Sequence, residues 1–439
     1  MTTEQQLPKG WKKTTLGEIS IVKMGQSPNG KSYNKEKEGY LLIGGASDLG
    51  DIYPSPKQYT NEATKLSKTN DIIICIRATI GRLNLSDKVY CLGRGVAGIE
   101  VNANVEAKFI WYSLMNSEAY LLKNSTGTTF QQVSSPTLKK LPIVYPTSKE
   151  TQQAIVNKIE SLFDEIDEGI GRLKTAAQQI QQYRQSLLKN AFNGELTKEW
   201  RSKHADTLPS ENELLAQIQT TREQHHAQQL ADWQTAVSQW EQNGKEGKKP
   251  SKPKVPTQAV KFEDNFADLP SGWLESSLGD TTDVFVGSTP SRKNNEYWNG
   301  DISWVSSGEV NFSNIIETKE KITNLGLSNS STNIHPIGTV MLAMIGEGKT
   351  RGQAGILKIE ACHNQNTAAI RVNKKYLLSE YLYYFFMFNY EQTRRIGSGN
   401  NQKALNKTII ENMSFPICSL TEQTQIVAIL ESKLTACDQ

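Results

Sequence analysis

LPKGWKKTTLGE, residues 7–18, returns as LPSGWLESSLGD at residues 269–280, with Trp11 and Trp273 separated by 262 positions. The phrase is not of low complexity, and its Trp, Gly and Leu keep the same internal spacing, so it marks a duplicated unit. The likeness runs on. VKMGQSPNG (22–30) answers VFVGSTPSR (284–292), and CLGRGVAGIEV (91–101) answers CHNQNTAAIRV (362–372). FIWYSLMNSEAY (109–120) matches YLYYFFMFNYEQ (381–392), and STGTTFQQVSSPTLKKLPI (125–143) matches GSGNNQKALNKTIIENMSFPI (397–417) with a small length difference. Finally SKETQQAIVNKIES (148–161) answers LTEQTQIVAILES (420–432). A period this long exceeds that of any solenoid, which makes the repeat a domain plus a helix.

Within each half, short β-rich runs such as DIIICIRA (71–78) and GTVMLAMIG (338–346) are punctuated by Gly, Asn and Ser. An aromatic amphipathic helix (106–122 and 377–392) precedes a polar glycine loop. Each half therefore reads as a compact α+β domain with a twisted antiparallel sheet. The boundaries expected are a first domain over 1–150, a helical region over 151–201, a connecting segment over 202–268, a second domain over 269–419 and a short final helix over 420–439.

Residues 151–193 differ in kind. Ile159, Leu162, Ile166, Gly169, Leu173, Ala176, Ile180, Tyr183 and Leu187 alternate at spacings of three and four, a heptad seam with one weak rung at Gly169. AFNG (191–194) supplies a glycine stop. A narrow apolar stripe of this length predicts a helix laid on another helix; the alternative is packing on its own domain. In the connecting segment, 211–242 reads as a mostly solvent-facing helix, and KEGKKPSKPKVP (245–256) as a solvated Lys/Pro linker.

The 439 residues carry a formal charge of +3, with 49 Lys+Arg against 46 Asp+Glu. Residues 1–150 hold 19 basic and 13 acidic side chains, and residues 266–420 hold 14 of each, so nucleic-acid binding has to come from local placement. No apolar run reaches the ~20 residues of a membrane span. The N-terminus MTTEQQLPKG has no signal-peptide core, and the five cysteines (75, 91, 362, 418, 437) form no CxxC pair, which together predict free thiols in a cytoplasm.

Catalytic motifs are missing from this reading. AMIGEGKT (343–350) mimics a phosphate loop with Ala343 in place of its first glycine, but RGQAGILKI behind it reads as strand, not helix. There is no glycine-rich dinucleotide fingerprint, no amino-methyltransferase motif and no metal-dependent nuclease signature. Histidines 204, 225, 226, 335 and 363 lack ligand spacing, and 225–226 read as solvated. Cys91 and Cys362 read as core packing. What recurs is a set of polar loops whose side chains suit base edges and phosphates. In the first half these offer Gln26, Ser27, Asn29, Lys31, Thr128, Gln131 and Gln132, with Arg77, Arg82 and Arg94. In the second they offer Ser288, Thr289, Arg292, Lys293, Lys349, Arg351, Asn400, Asn401, Gln402 and Lys403. For each, the competing reading is an ordinary surface group.

The order of these features resembles the specificity subunit of type I restriction–modification enzymes. The likeness rests on LP-x-GW-x4-LG at Leu7–Gly17 and Leu269–Gly279, the G-x-[ST]-P turn after each, the run Gln152–Arg201, and NELLAQIQTTRE leading through Lys/Pro into LPSGW. The resemblance implies two target-recognition domains that read a split, asymmetric double-stranded DNA site. It also implies long helices that form an antiparallel coiled coil and dock two methyltransferase subunits, and restriction subunits through the complex. The chain itself would be non-catalytic, with S-adenosylmethionine, ATP and Mg²⁺ on the partner subunits. One departure stands out: after Ser432 only KLTACDQ follows, where the first helix continues for some thirty residues. The expectation is an incomplete intramolecular coiled coil: either the chain is cut short, or the missing strand comes from another chain, as in a homodimer through the 151–193 seam. An autonomous nuclease or methyltransferase, and an adaptor that binds only protein, are the competing classes.

Overall fold

The computed structural model describes residues 7–127, 131–246, 249–253, 255, 266, 269–346, 348–396 and 404–438. The chain divides into two compact units, Met1–Leu173 and Lys174–Gln439, both of mixed α and β structure.

The repeated opening phrase has a mechanical reason. Trp11 N donates to Pro8 O and Trp273 N to Pro270 O, each at 3.0 Å, closing a four-residue turn. Its third residue, Gly10 or Gly272, has φ of +87° or +82°, the left-handed region that glycine enters without strain. The turn aims the chain into a strand that pairs antiparallel with the far end of the same repeat. Trp11–Thr15 lies on Pro142–Pro146, and Leu274–Ser277 on Ser414–Ile417. Leu16 and Leu278 follow, both fully buried.

In the first unit the central sheet has the antiparallel order Ser20–Met24, Val96–Val101, Ile72–Cys75, Leu83–Leu85. Successive residues of Ile72–Cys75 point to opposite faces. Ile72 and Ile74 meet Phe109, Ile110 and Leu114 of the covering helix, while Ile73 and Cys75 meet Ile43, Leu49 and Leu92. Burial on both faces explains a continuous apolar run in place of alternation. In the second unit the order is Thr282–Val286, Thr367–Val372, Val340–Ala343, Ala354–Leu357, Ser313–Ile315.

A single antiparallel sheet per half was the expectation, and this needs correction. Each unit carries a second sheet with a parallel pair at one edge: Leu42↔Cys91 and Ile43↔Leu92 in the first, Trp304↔Cys362 and Val305↔His363 in the second. The second unit adds a further parallel pair, Ser313–Ile315 on Ala354–Leu357. The two-residue strands at Cys91 and Cys362 are too short to show a period in sequence. The aromatic helix is also broken in both halves, into Ala107–Met115 and Glu118–Lys123, and into Ser379–Phe388 and Tyr390–Arg395. Asn116 and Asn389 occupy the breaks, a residue that competes with helix hydrogen bonding.

The long helix spans Lys149–Phe192 and stops at Gly194, whose φ is +79°. Its start is buried in the first unit through Gln152 and Val156 and its end in the second through Leu188, Ala191 and Phe192. Leu162, Ile166, Leu173, Ile180 and Tyr183 are exposed, Ile159 is half-buried, and Leu187 belongs to the core of the second unit, not to the seam. The helix Glu211–Gln242 likewise departs from expectation. A Ser210–Glu213 capping box starts it, and Leu214 and Ile218 are buried in the same core as Trp273 and Leu278. Its first turns are thus part of the second unit, although most of its later residues are exposed.

One buried carboxylate fastens these pieces. Glu422 opens the helix Leu420–Asp438 and accepts hydrogen bonds from Thr197 Oγ1 (2.7 Å), Arg201 Nη1 (2.9 Å) and Trp273 Nε1 (2.9 Å). Arg201 Nη2 also donates to Gly194 O at 2.6 Å. At the other end of that helix Asp438 pairs with Arg184. The helix therefore runs antiparallel to the end of the long helix. Removing one partner of a buried ion pair strands the other charge, so Glu422→Ala is expected to destabilise the second unit by ~3–5 kcal/mol, read as a fall in the urea midpoint of its unfolding transition.

Candidate nucleic-acid interface

The polar loops singled out in sequence leave the central sheet at one end in each unit. In the first, Met24 pairs with Ala97 and Cys75 with Val96, so the segments after Met24 and Cys75 and the one before Val96 emerge together. Backbone hydrogen bonds tie them: Gln26 N to Leu92 O (2.8 Å), Gly93 N to Ile43 O (2.8 Å), Ile76 N to Gly95 O (3.0 Å) and Val133 N to Ile76 O (2.9 Å). The second unit repeats all four: Ser288 N to His363 O (3.1 Å), Asn364 N to Val305 O (3.0 Å), Met344 N to Asn366 O (2.8 Å) and Leu405 N to Met344 O (3.0 Å). The loops pass so closely that a Cβ on Gly25 would lie 2.2 Å from Gly93 O, and one on Gly287 2.0 Å from His363 O. This is why Gly-x-[Ser/Thr]-Pro recurs.

Gln26, Lys31, Arg77, Arg94, Gln131 and Gln132 are all exposed at or beside this end of the first unit. Arg77 and Gln132 face each other in an isolated backbone bridge. Among the described residues Lys31, Arg77 and Arg94 form no ion pair, leaving three uncompensated cations on neighbouring loops. Others spend their polar atoms internally. Asn29 caps the turn at Lys31 N, Ser27 Oγ accepts from Arg94 N at 3.5 Å, and Arg82 Nη2 donates to Leu49 O at 2.8 Å. Arg82 is a loop fastener, not a free cation.

The second unit shows more of this internal use. Arg292 makes a two-armed ion pair with Glu320 and lies 4.0 Å from the ring centroid of Trp298. The hydrogen-bonded Glu320 carboxylate raises the guanidinium's pKa above its ordinary value. Ser288 Oγ accepts from Ser331 N, Thr289 Oγ1 donates to Gln365 Oε1, and Arg351 Nη2 donates to Arg394 O. Lys293 and Lys349 are exposed, with no ion pair among the described residues. Thr128, Asn400, Asn401, Gln402 and Lys403 lie outside the described residues.

Sequence reasoning missed two contributors. The loops after Ile43 and Val305 join the same end because of the parallel strand pairs, and nothing local announces those pairs. Arg394 stacks on Tyr390 beside Arg351, and Arg395 is exposed next to it. Two arginines directly before the glycine loop were a legible signal.

Two cysteines and two histidines of the units' cores are packed away. Burial pushes the thiols of Cys75 and Cys362 up to about 11 and about 12. His335 and His363 lie 5.0 Å apart, and burial pushes them down to about 3 and about 4, so both are uncharged at neutral pH. Among the described residues no cluster of His, Cys, Asp and Glu is arranged to hold a metal. Behind Ala343 the chain turns into the strand Ala354–Leu357, with no helix among the described residues between to grip a phosphate.

Comparison with known proteins agrees with the duplication. The family described as type I restriction modification DNA specificity domain matches the chain twice, over residues 8–174 and 270–437. The MjaX type I restriction enzyme specificity subunit of Methanocaldococcus jannaschii is 34% identical over 165 residues, 37% of this chain and 39% of that protein. The EcoBI specificity subunit of Escherichia coli is 27% identical over 242 residues, 50% of this chain and 49% of that protein. The matched stretches span between two fifths and half of these relatives. In fold, the chain is similar to the crystallised HsdS subunit from Thermoanaerobacter tengcongensis, with a TM-score of 0.59 at 17% identity, covering 99% of this chain and 92% of that one.

The two adjacent cations Arg292 and Lys293 separate structural from free charge. Arg292→Ala is expected to destabilise the second unit by about 1 kcal/mol, from the lost cation–π and ion-pair contacts. Lys293→Ala is expected to leave the same denaturation curve unchanged.

Proposed function

This chain belongs to the family of type I restriction modification DNA specificity domain proteins, and from that membership we propose that it is the subunit that selects the DNA sequence for a type I complex. The observation that carries the reading is the duplicated loop end: two units present equivalent clusters, pinned by the same four backbone hydrogen bonds, while the side chains on them differ. Phosphate contacts position a protein and base-edge contacts specify sequence. A rigid backbone frame bearing variable polar side chains suits both. Each unit reads one part of a split double-stranded site. In the first unit Lys31, Arg77 and Arg94 contact phosphates while Gln26, Gln131 and Gln132 address base edges; in the second, Lys293 and Lys349 take the phosphate role.

The chain is non-catalytic in this reading. Methylation and cleavage belong to two methyltransferase subunits and to restriction subunits, which carry S-adenosylmethionine, ATP and Mg²⁺, in the cytoplasm. The exposed rungs Leu162, Ile166, Leu173, Ile180 and Tyr183 supply the surface for helical partners, whether methyltransferase helices or a second copy of this chain.

The deciding experiment maps methylated sites on a plasmid treated with this chain and its cognate methyltransferase subunit. A split motif with a fixed spacer is expected. A palindromic motif would mean one unit used twice in a dimer, and no methylation beside a competent control would count against the reading. In the assembled complex, Arg77→Ala and Arg94→Ala should each weaken binding across sequences and flatten the log K against log salt slope by ~1. An unchanged slope would remove those residues from the interface.

A further inference from the structure

At the end of the second central sheet opposite the loops, where Thr282 pairs with Val372, a cavity of about 480 Å³ opens between the helix Glu211–Gln242 and the sheet. Its walls bring together Arg222, His225 and His226 from the helix, Asp283 from one strand, and Arg371 and Lys374 from the end of the next. Arg222, Arg371 and Lys374 are permanent cations and none forms an ion pair among the described residues. Asp283 is the one carboxylate in the wall, and it lies 3.8 Å from His225.

The cations are held in place by neutral groups. Arg222 Nη2 donates to Gly279 O at 3.3 Å, and its guanidinium lies against the hydroxyl of Tyr376, which in turn donates to Thr281 O at 2.8 Å. Arg371 Nε donates to His335 Nδ1 at 3.0 Å and Nη2 to Ile334 O at 2.9 Å, and the guanidinium packs 4.6 Å from the ring centroid of Phe285. Burial lowers the pKa of Arg371, against an opposing pull from the Asp283 carboxylate on the neighbouring strand. A shared acceptor with two or more negative oxygens would satisfy the donors and offset the charge.

We propose that this cavity binds a compact phosphomonoester or inorganic phosphate through Arg222, Arg371 and Lys374. Its volume falls in the range of small-molecule pockets (~300–1,000 Å³), with room for the group that bears the phosphate. The site is separate from the loop end and does not depend on the DNA-reading proposal. A ligand here would bridge the helix to the sheet and so fasten the segment between the two repeats to the second unit.

The test is calorimetric titration of the full chain with inorganic phosphate and, in parallel, adenosine 5′-monophosphate, against sodium chloride at matched ionic strength. Saturable binding of phosphate is expected, and tighter binding of the nucleotide would identify an ester as the natural ligand. Arg222→Gln and Lys374→Gln should each weaken binding about tenfold, the loss of one charge-assisted contact. Asp283→Asn should strengthen it and guards against a misfolded variant. Arg77→Gln, at the loop end of the other unit, should leave it unchanged. Absence of saturable binding, an unaltered dissociation constant in folded Arg222→Gln, or loss of binding in Arg77→Gln would each overturn the proposal.

Discussion

In each half of the chain, one carbonyl oxygen decides where the loops go. Leu92 O accepts from Gln26 N, and His363 O from Ser288 N, and the preceding glycine has no room for even a methyl group. That contact presses the first loop onto the segment between the short Cys strand and the central sheet. The parallel pairing of that Cys strand then draws in the loop after Ile43 or Val305. The rest of the loop end follows from these two constraints. Backbone atoms make the frame, so the side chains on it can change without dismantling it.

The sequence showed what depends on repetition and on local chemistry. Trp11 and Trp273 gave away the duplication because a Pro-x-Gly-Trp turn tolerates few substitutes. Gly194 marked the end of the long helix because a left-handed residue was needed there. Two-residue strands at Cys91 and Cys362 left no period to read, so the parallel pairs stayed hidden. The docking of Leu214 and Ile218 was equally silent, since two apolar residues four apart on a polar helix look the same whether or not something covers them. At the loop end, residue type told where charge could be used, not whether it was free. Arg94 and Arg292 look alike in sequence, yet only the second meets a glutamate and two tryptophan rings.

The units consequently differ in electrostatic character despite their shared frame. The first presents Lys31, Arg77 and Arg94 with no carboxylate partner. The second ties Arg292 to Glu320 and Arg351 to a backbone carbonyl, leaving Lys293, Lys349 and Arg395 as its open charges among the described residues. A guanidinium fork and an ammonium point charge hold phosphate differently. Equivalent positions in the two halves are therefore not interchangeable.

Glu422 carries a consequence for grafting one half of the chain onto another. Two of its three donors, Thr197 and Arg201, come from the segment that follows the long helix and the third, Trp273, from the second LPxGW turn, while the carboxylate itself sits past the last strand of the repeat. A crossover that imported a foreign second unit between Trp273 and Ile417 would leave this acceptor behind with an unfamiliar tryptophan. One placed before Thr197 and carried through the final helix would move the whole lock intact. The exchangeable module is therefore larger than the globular repeat, and a graft joined in the exposed middle of the long helix would break few contacts.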